Sequence, residues 1–238
     1  MNKFTYIGNE LEVFSAASVW KRYVHRHLTP YLGCEVLEVG AGLGSTTRVF
    51  CRGHHRRWVC LEPDGDLLSQ VQRSIDQGEL PSCCITRLGA TSDLDDTEVF
   101  DTLLYTDVLE HIEDDHAELA HAARFVRPGG YIVVLCPAHN WLFSPFDRAI
   151  GHYRRYDRPM YTALTPPGFE VILLRYLDTV GLMASISNRL FLRQSMPTPA
   201  QIRFWDRVMV PASKLIDPIL SYNFGKSILG VWRKRTEP

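Results

Sequence analysis

The chain has 238 residues, 45% of them hydrophobic and 22% charged, and its 26 Lys and Arg against 27 Asp and Glu leave a net charge of -1. These values fit one globular domain with an elaboration and exclude a low-complexity chain or a generally basic nucleic-acid binder. No apolar run approaches the roughly 20 residues that cross a bilayer, and MNKFTYIGNELEVF holds no apolar core of signal-peptide length, so a cytoplasmic protein is expected.

In chain order, Leu11, Phe14, Val19, Trp20, Tyr23 and Val24 are spaced for an amphipathic helix that Pro30 and Gly33 end. Glu35 to Val39 reads as a first strand, followed by a glycine-rich turn and a helix from about Ser45. Trp58 to Leu61 is a second strand ending in Glu62-Pro63-Asp64, and the polar helix after it stops at Gly78. Cys83 to Leu88 is the third strand, before an acidic loop from Gly89 to Asp96. Phe100 to Tyr105 is the fourth, Asp115 to Phe125 a helix, and Tyr131 to Cys136 the fifth strand, stopped by Pro137.

Ala138 to Arg158 reads as a long irregular stretch rich in aromatics and arginine. Phe169 to Tyr176 and Ser227 to Trp232 are strands six and seven, with two helices between them, separated at Pro197 and Pro199. In the second of these helices Ile202, Trp205, Val208, Met209, Leu215, Ile216 and Ile219 form an apolar stripe. That stripe is expected to pack over the domain or a homodimer mate, in preference to peripheral contact with a membrane. Strands alternating with helices mean βαβ units and a parallel sheet. The expected organisation is a single domain: an N-terminal cap helix (1–33), a core (34–177), a helical insertion or lid (178–225), and a last strand with tail (226–238). The six cysteines form no C-x-x-C pair and read as small buried hydrophobes in a reducing compartment.

The most informative stretch is VLEVGAGLGSTTRVF, where Glu38, Gly40, Gly42 and Gly44 give E-x-G-x-G-x-G. Glycines let a turn bend sharply and approach a ligand. A dinucleotide fingerprint would need its third glycine at position 45, which is Ser45. The acid before the turn suits a cationic ligand better than a pyrophosphate. In an open parallel sheet, ligands bind beyond the carboxyl ends of the strands. Glu62 ends strand two at about the ~20-residue separation expected of an acid that accepts both ribose hydroxyls. Asp107 follows strand four.

These motifs, with DVLEHIEDD, RPGG and IGHYRRY, resemble the class I S-adenosylmethionine (SAM)-dependent methyltransferases that act on small molecules. The resemblance implies a Rossmann-like, seven-stranded, mostly parallel α/β sheet whose last strand is antiparallel. It implies SAM as cofactor, its methionine part wrapped by Gly40, Gly42 and Gly44, with Glu38 near its amino group and Glu62 on its ribose. Ala90 and Thr91 would meet the adenine edge, and Asp107 the methionine or methyl end. The N-terminal helix would fold over the pockets, with Tyr6, Trp20 and Tyr23 as candidate wall residues.

Methyl transfer needs an in-line nucleophile and, for a hydroxyl or activated carbon, a base. His111 and His152 follow strands on the ligand-binding edge and are the candidates. Asp107, Glu110 and His111 also make D-x-x-E-H, which with His152 offers oxygen and imidazole ligands suited to Mg²⁺ or Mn²⁺. That set resembles the E-x-x-E-H element of metal-dependent small-RNA 2′-O-methyltransferases and of some ubiquinone-pathway O-methyltransferases, with Asp replacing the first Glu. Arg148, Arg154 and Arg155, with Tyr153, form a cluster able to recognise a carboxylate or phosphate. The expected activity is methylation of oxygen, nitrogen or carbon on a small or lipid-linked metabolite, with no nucleic-acid partner. An RNA 2′-O-methyltransferase and an NAD(P)-dependent oxidoreductase are the alternatives.

Overall fold

The computed structural model describes residues 14–189 and 198–236. The elements that build the sheet are β1 (Glu35–Val39), β2 (Arg57–Glu62), β3 (Cys84–Leu88), β4 (Phe100–Thr106), β5 (Val126–Pro137), β6 (Phe169–Leu177) and β7 (Ser227–Lys234). They form one seven-stranded sheet in the order β3-β2-β1-β4-β5-β7-β6. β1 to β5 run parallel, and β7 runs antiparallel to both of its neighbours, β5 and β6. The expected α/β sheet is the one found.

Central strands are buried on both faces, as β1 shows along its whole length. Alternate side chains therefore feed two cores. One contains Leu37, Val59, Leu103, Tyr105, Ile132 and Val134; the other contains Val36, Trp58, Cys60, Leu104, Val133 and Leu135. The helices that cover them are α1 (Ser18–Leu28), α2 (Thr47–Phe50), α3 (Gly65–Asp76) and α4 (Asp115–Ala122), then α5 (Pro145–Ala149) and α6 (Arg158–Ala163). Of these, α5 corrects the expectation of an irregular stretch from Ala138 to Arg158. α5 and α6 are short, with a capping Ser144 or Asp157 and a proline at the first or second position, a start signal with too few residues after it to show periodicity. His111 ends a separate 3₁₀ turn, Leu109–His111, and α4 starts four residues later.

Between β6 and β7 stand α7 (Thr179–Ser187), α8 (Pro199–Phe204) and α9 (Val210–Ile219). A π-turn, Trp205–Met209, joins α8 to α9, with the Val210 amide donating to the Trp205 carbonyl. Pro211 has no N–H for a helical bond to the carbonyl of Arg207, and the wider turn just before it accommodates the ring. The expected stripe divides. Ile202 and Trp205 are buried, whereas Val208, Leu215 and Ile219 point outward.

Three buried acids fasten this insertion. Asp178 accepts from Trp205 Nε1 at 2.7 Å and Ser213 Oγ at 2.7 Å. Asp217 accepts from Tyr23 Oη at 2.8 Å and from the amides of Asp178 and Thr179. Asp206 accepts from the amides of Val19 and Trp20, at 3.2 and 2.8 Å. The last pair satisfies two amides in the first turn of α1 that have no partner within the helix. Asp206→Ala is expected to destabilise the protein by about 1–2 kcal/mol, while Asp206→Asn keeps most of that stability. Urea unfolding of the two variants checks this.

Candidate active site

At the end of β1 the chain turns through Gly40, Gly42 and Gly44, with φ of +68°, +54° and +70°. The amides of Gly40 and Ala41 donate to the Leu61 carbonyl at 2.8 and 3.1 Å, tying the turn to β2. A Cβ on Gly40 would stand 2.6 Å from Val108 Cγ2, so that glycine is demanded by space as well as by φ. Beneath the turn, Glu38 Oε2 accepts from Thr47 Oγ1 and Trp58 Nε1, each at 2.7 Å. Burial pushes its carboxyl up to about 7 against those two bonds. Glu38 thus supports the turn from behind, with its Oε2 committed to Thr47 and Trp58.

Glu62 is also buried. Its Oε2 accepts from the Gly42 amide at 2.8 Å and its Oε1 from the Asp64 amide at 3.0 Å, and burial raises its carboxyl above the ordinary range. A carboxylate has about four acceptor positions, so this one retains capacity for hydroxyl donors. After β3, Ala90 is exposed, but the Thr91 side chain turns away to donate to Glu118.

Where the strand order reverses between β1 and β4, a cavity of about 230 Å³ opens beside the glycine turn. Trp20 and Lys21 border it from α1, Asp107, Glu110 and His111 from beyond β4, and Asp147, His152 and Arg155 from the region after β5. Trp205 and Lys226 close the side formed by the insertion and β7.

Asp107 takes φ +54°, which an aspartate tolerates and which turns the chain at the cavity edge. Its side chain meets cavity solvent yet is enclosed by protein. Loss of bulk water pushes it up to about 6, opposed by the nearby His152, Lys21 and Lys226. Glu110 is wholly buried, and neither oxygen of its carboxyl has a hydrogen-bond donor of normal geometry. Burial, then the charge of Asp107, drives it far above the carboxylate range. The His111 and His152 rings meet edge to face at 4.5 Å, and burial with the neighbouring imidazole pushes His111 down to about 4.

Asp147 organises the opposite wall. It accepts from Arg155 Nε and Nη2 at 2.8 and 2.9 Å, from the Ser144 amide and hydroxyl at 2.8 and 2.7 Å, and faces His152 Nδ1 at 3.1 Å. Burial opposes its charge, but the bonds from His152 and Arg155 prevail and hold the carboxyl well below the usual range. An ionised Asp147 places the proton on Nδ1, which leaves Nε2 as the lone-pair nitrogen. That nitrogen lies 3.9 Å from Glu110 Oε1.

The expected arginine cluster is not brought together. Arg154 is bound to Asp115 and to the carbonyl of Glu113, Arg148 is exposed, and Tyr153 is half-exposed at the surface. Only Arg155 reaches the cavity, already paired. Trp20 borders the cavity as expected, but Tyr23 is committed to Asp217, and Tyr6 lies outside the described residues. Two lysines line the cavity instead: Lys21, on the helix expected to fold over the pockets, and Lys226, which sequence reasoning missed. Lys21 Nζ donates to the carbonyls of Phe14 and Ser15, and burial lowers it to about 8. Lys226 sits over the Trp205 ring at 4.7 Å and is likewise lowered by burial. Asp147 had a local signal, five residues before His152. Lys226 had none, since only the antiparallel return of β7 carries it to the cavity.

The sheet order and the glycine turn at its reversal define the Rossmann-like methyltransferase fold. Residues 37–134 match the methyltransferase domain family, so this segment is a class I SAM-dependent methyltransferase domain. A ubiquinone biosynthesis O-methyltransferase of Rhodopseudomonas palustris (strain HaA2) is 28% identical over 109 residues, which are 46% of this chain and 42% of that protein. A demethylmenaquinone methyltransferase of Tropheryma whipplei (strain Twist) is 28% identical over 169 residues, 64% of this chain and 63% of that one. The chain thus aligns with under two thirds of these relatives' length. A geranyl diphosphate methyltransferase solved in complex with SAM shares the fold, with a TM-score of 0.62 at 12% identity, covering 92% of this chain and 85% of that one. These matches favour methyl transfer over nicotinamide chemistry.

Gly40→Ala is expected to cost about 1–3 kcal/mol through the clash with Val108 and the positive φ. A fall in melting temperature without loss of secondary structure checks it.

Proposed function

We propose that this protein transfers the methyl group of SAM to a hydroxyl of a small or lipid-linked acceptor that carries negative charge. The observation that carries the reading is the Asp147–His152 pair on the cavity wall beside the glycine turn. SAM would lie over Gly40, Gly42 and Gly44 with its ribose on Glu62, and its sulfonium would face the Asp107 side of the cavity. SAM held there would supply an electrophilic methyl group, and His152 Nε2 would take the proton of the acceptor hydroxyl whose oxygen receives it. Asp147 holds the base in orientation and stabilises the imidazolium that forms. Exclusion of water and alignment of the acceptor supply the rest of the rate.

Charge supports the acceptor class. Lys21 and Lys226 bring two cations to the cavity wall, Asp147 is matched by Arg155, and Glu110 is held neutral. Asp107 offsets one lysine, and the cofactor adds its sulfonium, so an anionic acceptor is favoured over a neutral or cationic one.

His152→Gln is expected to lower S-adenosylhomocysteine release by about 10²–10⁴-fold while leaving calorimetric affinity for S-adenosylhomocysteine essentially unchanged. Hydroxylated aromatic carboxylates and lipid-linked phenols are the acceptors to offer. Full activity in this variant removes His152 as the base.

A second reading rests on Glu110, His111 and His152, whose ligand atoms lie within 4.8 Å of one another. With the Glu110 carboxyl lacking a hydrogen-bond donor, one carboxylate and two imidazoles make a donor set for a first-row divalent ion such as Mn²⁺ and not for Mg²⁺, which favours oxygen ligands. Such an ion would supply Lewis-acid activation of the acceptor oxygen, and His152 would then be a ligand, not a base. Under this reading activity disappears after dialysis against a chelator and returns with Mn²⁺. Turnover indifferent to chelation rejects it.

A further inference from the structure

The helices beside the cavity present charge of one sign to solvent. Among the described residues of α1 and of the insertion, the acids are Asp178, Asp206 and Asp217, all buried and turned inward. The exposed charges there are basic and include Arg22, Arg26, Arg203 and Arg207. Lys214, half-buried, lies close enough to Arg22 and Arg26 to feel their charge. In a chain of net charge -1 this is a local property of one face.

The insertion also carries an exposed apolar stripe. Phe204, Val208, Leu215 and Ile219 are spaced by four, seven and four residues along the α8–π–α9 rod, which places them on one side. They are 57%, 52%, 72% and 80% exposed, although the same rod buries Ile202, Trp205 and Val210 beneath. Aliphatic side chains flanked by arginine match the boundary between lipid headgroups and acyl chains, where the apolar stripe enters and the cations meet anionic phosphate.

Two other occupants fit less well. A second copy, docked by a two-fold axis, would set these arginines against their own counterparts. RNA would use the arginines and Phe204 but gains little from Val208, Leu215 and Ile219, because bases stack on aromatic or guanidinium planes. We propose that this face docks on an anionic bilayer surface. The helices that would touch the bilayer also supply Trp20, Lys21 and Trp205 to the cavity wall, so docking brings the cavity to the membrane, where a lipid-linked acceptor resides. The docking itself is independent of the methyl-transfer reading and is measured without turnover.

The test is co-sedimentation of the full chain with vesicles of phosphatidylcholine, with and without a minority of phosphatidylglycerol. The wild type is expected to sediment with the anionic vesicles alone and to be released by salt. Leu215→Ser with Ile219→Ser is expected to weaken that binding by roughly tenfold or more. Arg203→Glu with Arg207→Glu is expected to abolish it. All four positions are exposed, so melting temperatures should match the wild type, and each variant is compared only if they do. Several results overturn the proposal: no sedimentation of the wild type with anionic vesicles, undiminished binding of the serine variant, or a dimer by light scattering that this variant converts to monomer. RNA binding that fails in the glutamate variant but persists in the serine variant, with no vesicle binding, overturns it in favour of nucleic acid.

Discussion

One buried carboxylate organises the reactive wall of the cavity. Asp147 caps the turn that starts α5 through Ser144, grips the guanidinium of Arg155 with both oxygens, and faces the imidazole of His152. These contacts draw together residues from a twelve-residue stretch that has little regular structure of its own. Without a shared anion, Arg155 would stand uncompensated in a nearly dry setting, and His152 would have no reason to keep its proton on Nδ1. The same contacts that hold this stretch in shape therefore prescribe the protonation pattern of the imidazole.

The wall across the cavity is built by the same principle. Asp178, Asp206 and Asp217 are buried acids whose donors come largely from elements distant in sequence: an indole, a phenol, a serine hydroxyl and the amides that begin α1 and α7. Buried charge is costly unless fully bonded, so these contacts specify position more sharply than apolar packing alone. They also explain how a helix can be apolar on two sides. Ile202, Trp205 and Val210 fill the inner face while directed polar bonds fix the rotation of the rod, leaving Leu215 and Ile219 to point away from the domain.

Much of the sheet could be read from the chain because buried parallel strands are short apolar runs bounded by glycine, proline or acids. β1, with its turn, and β5, stopped by Pro137, are examples. The glycine turn and Glu62 were legible because their roles are local: positive φ, and the end of a strand. The cavity walls were less so. Arg148, Arg154 and Arg155 are close in sequence to His152, yet ion pairing to Asp115 and Asp147 disposes of two of them, and a partner on a distant element such as Asp115 is invisible to a one-dimensional reading. Lys21 and Lys226, far apart in sequence, meet only through the fold.

The position of β7 has a consequence for how this molecule is assembled. β7 lies between β5 and β6, and among the described residues it is the one sheet neighbour that β6 has. During synthesis β6 emerges from the ribosome more than forty residues before the strand it must pair with. Lys226 immediately precedes that strand, so the nascent chain carries an incomplete cavity until β7 threads between the two waiting edges. A half-made protein is thereby kept from presenting a finished pocket.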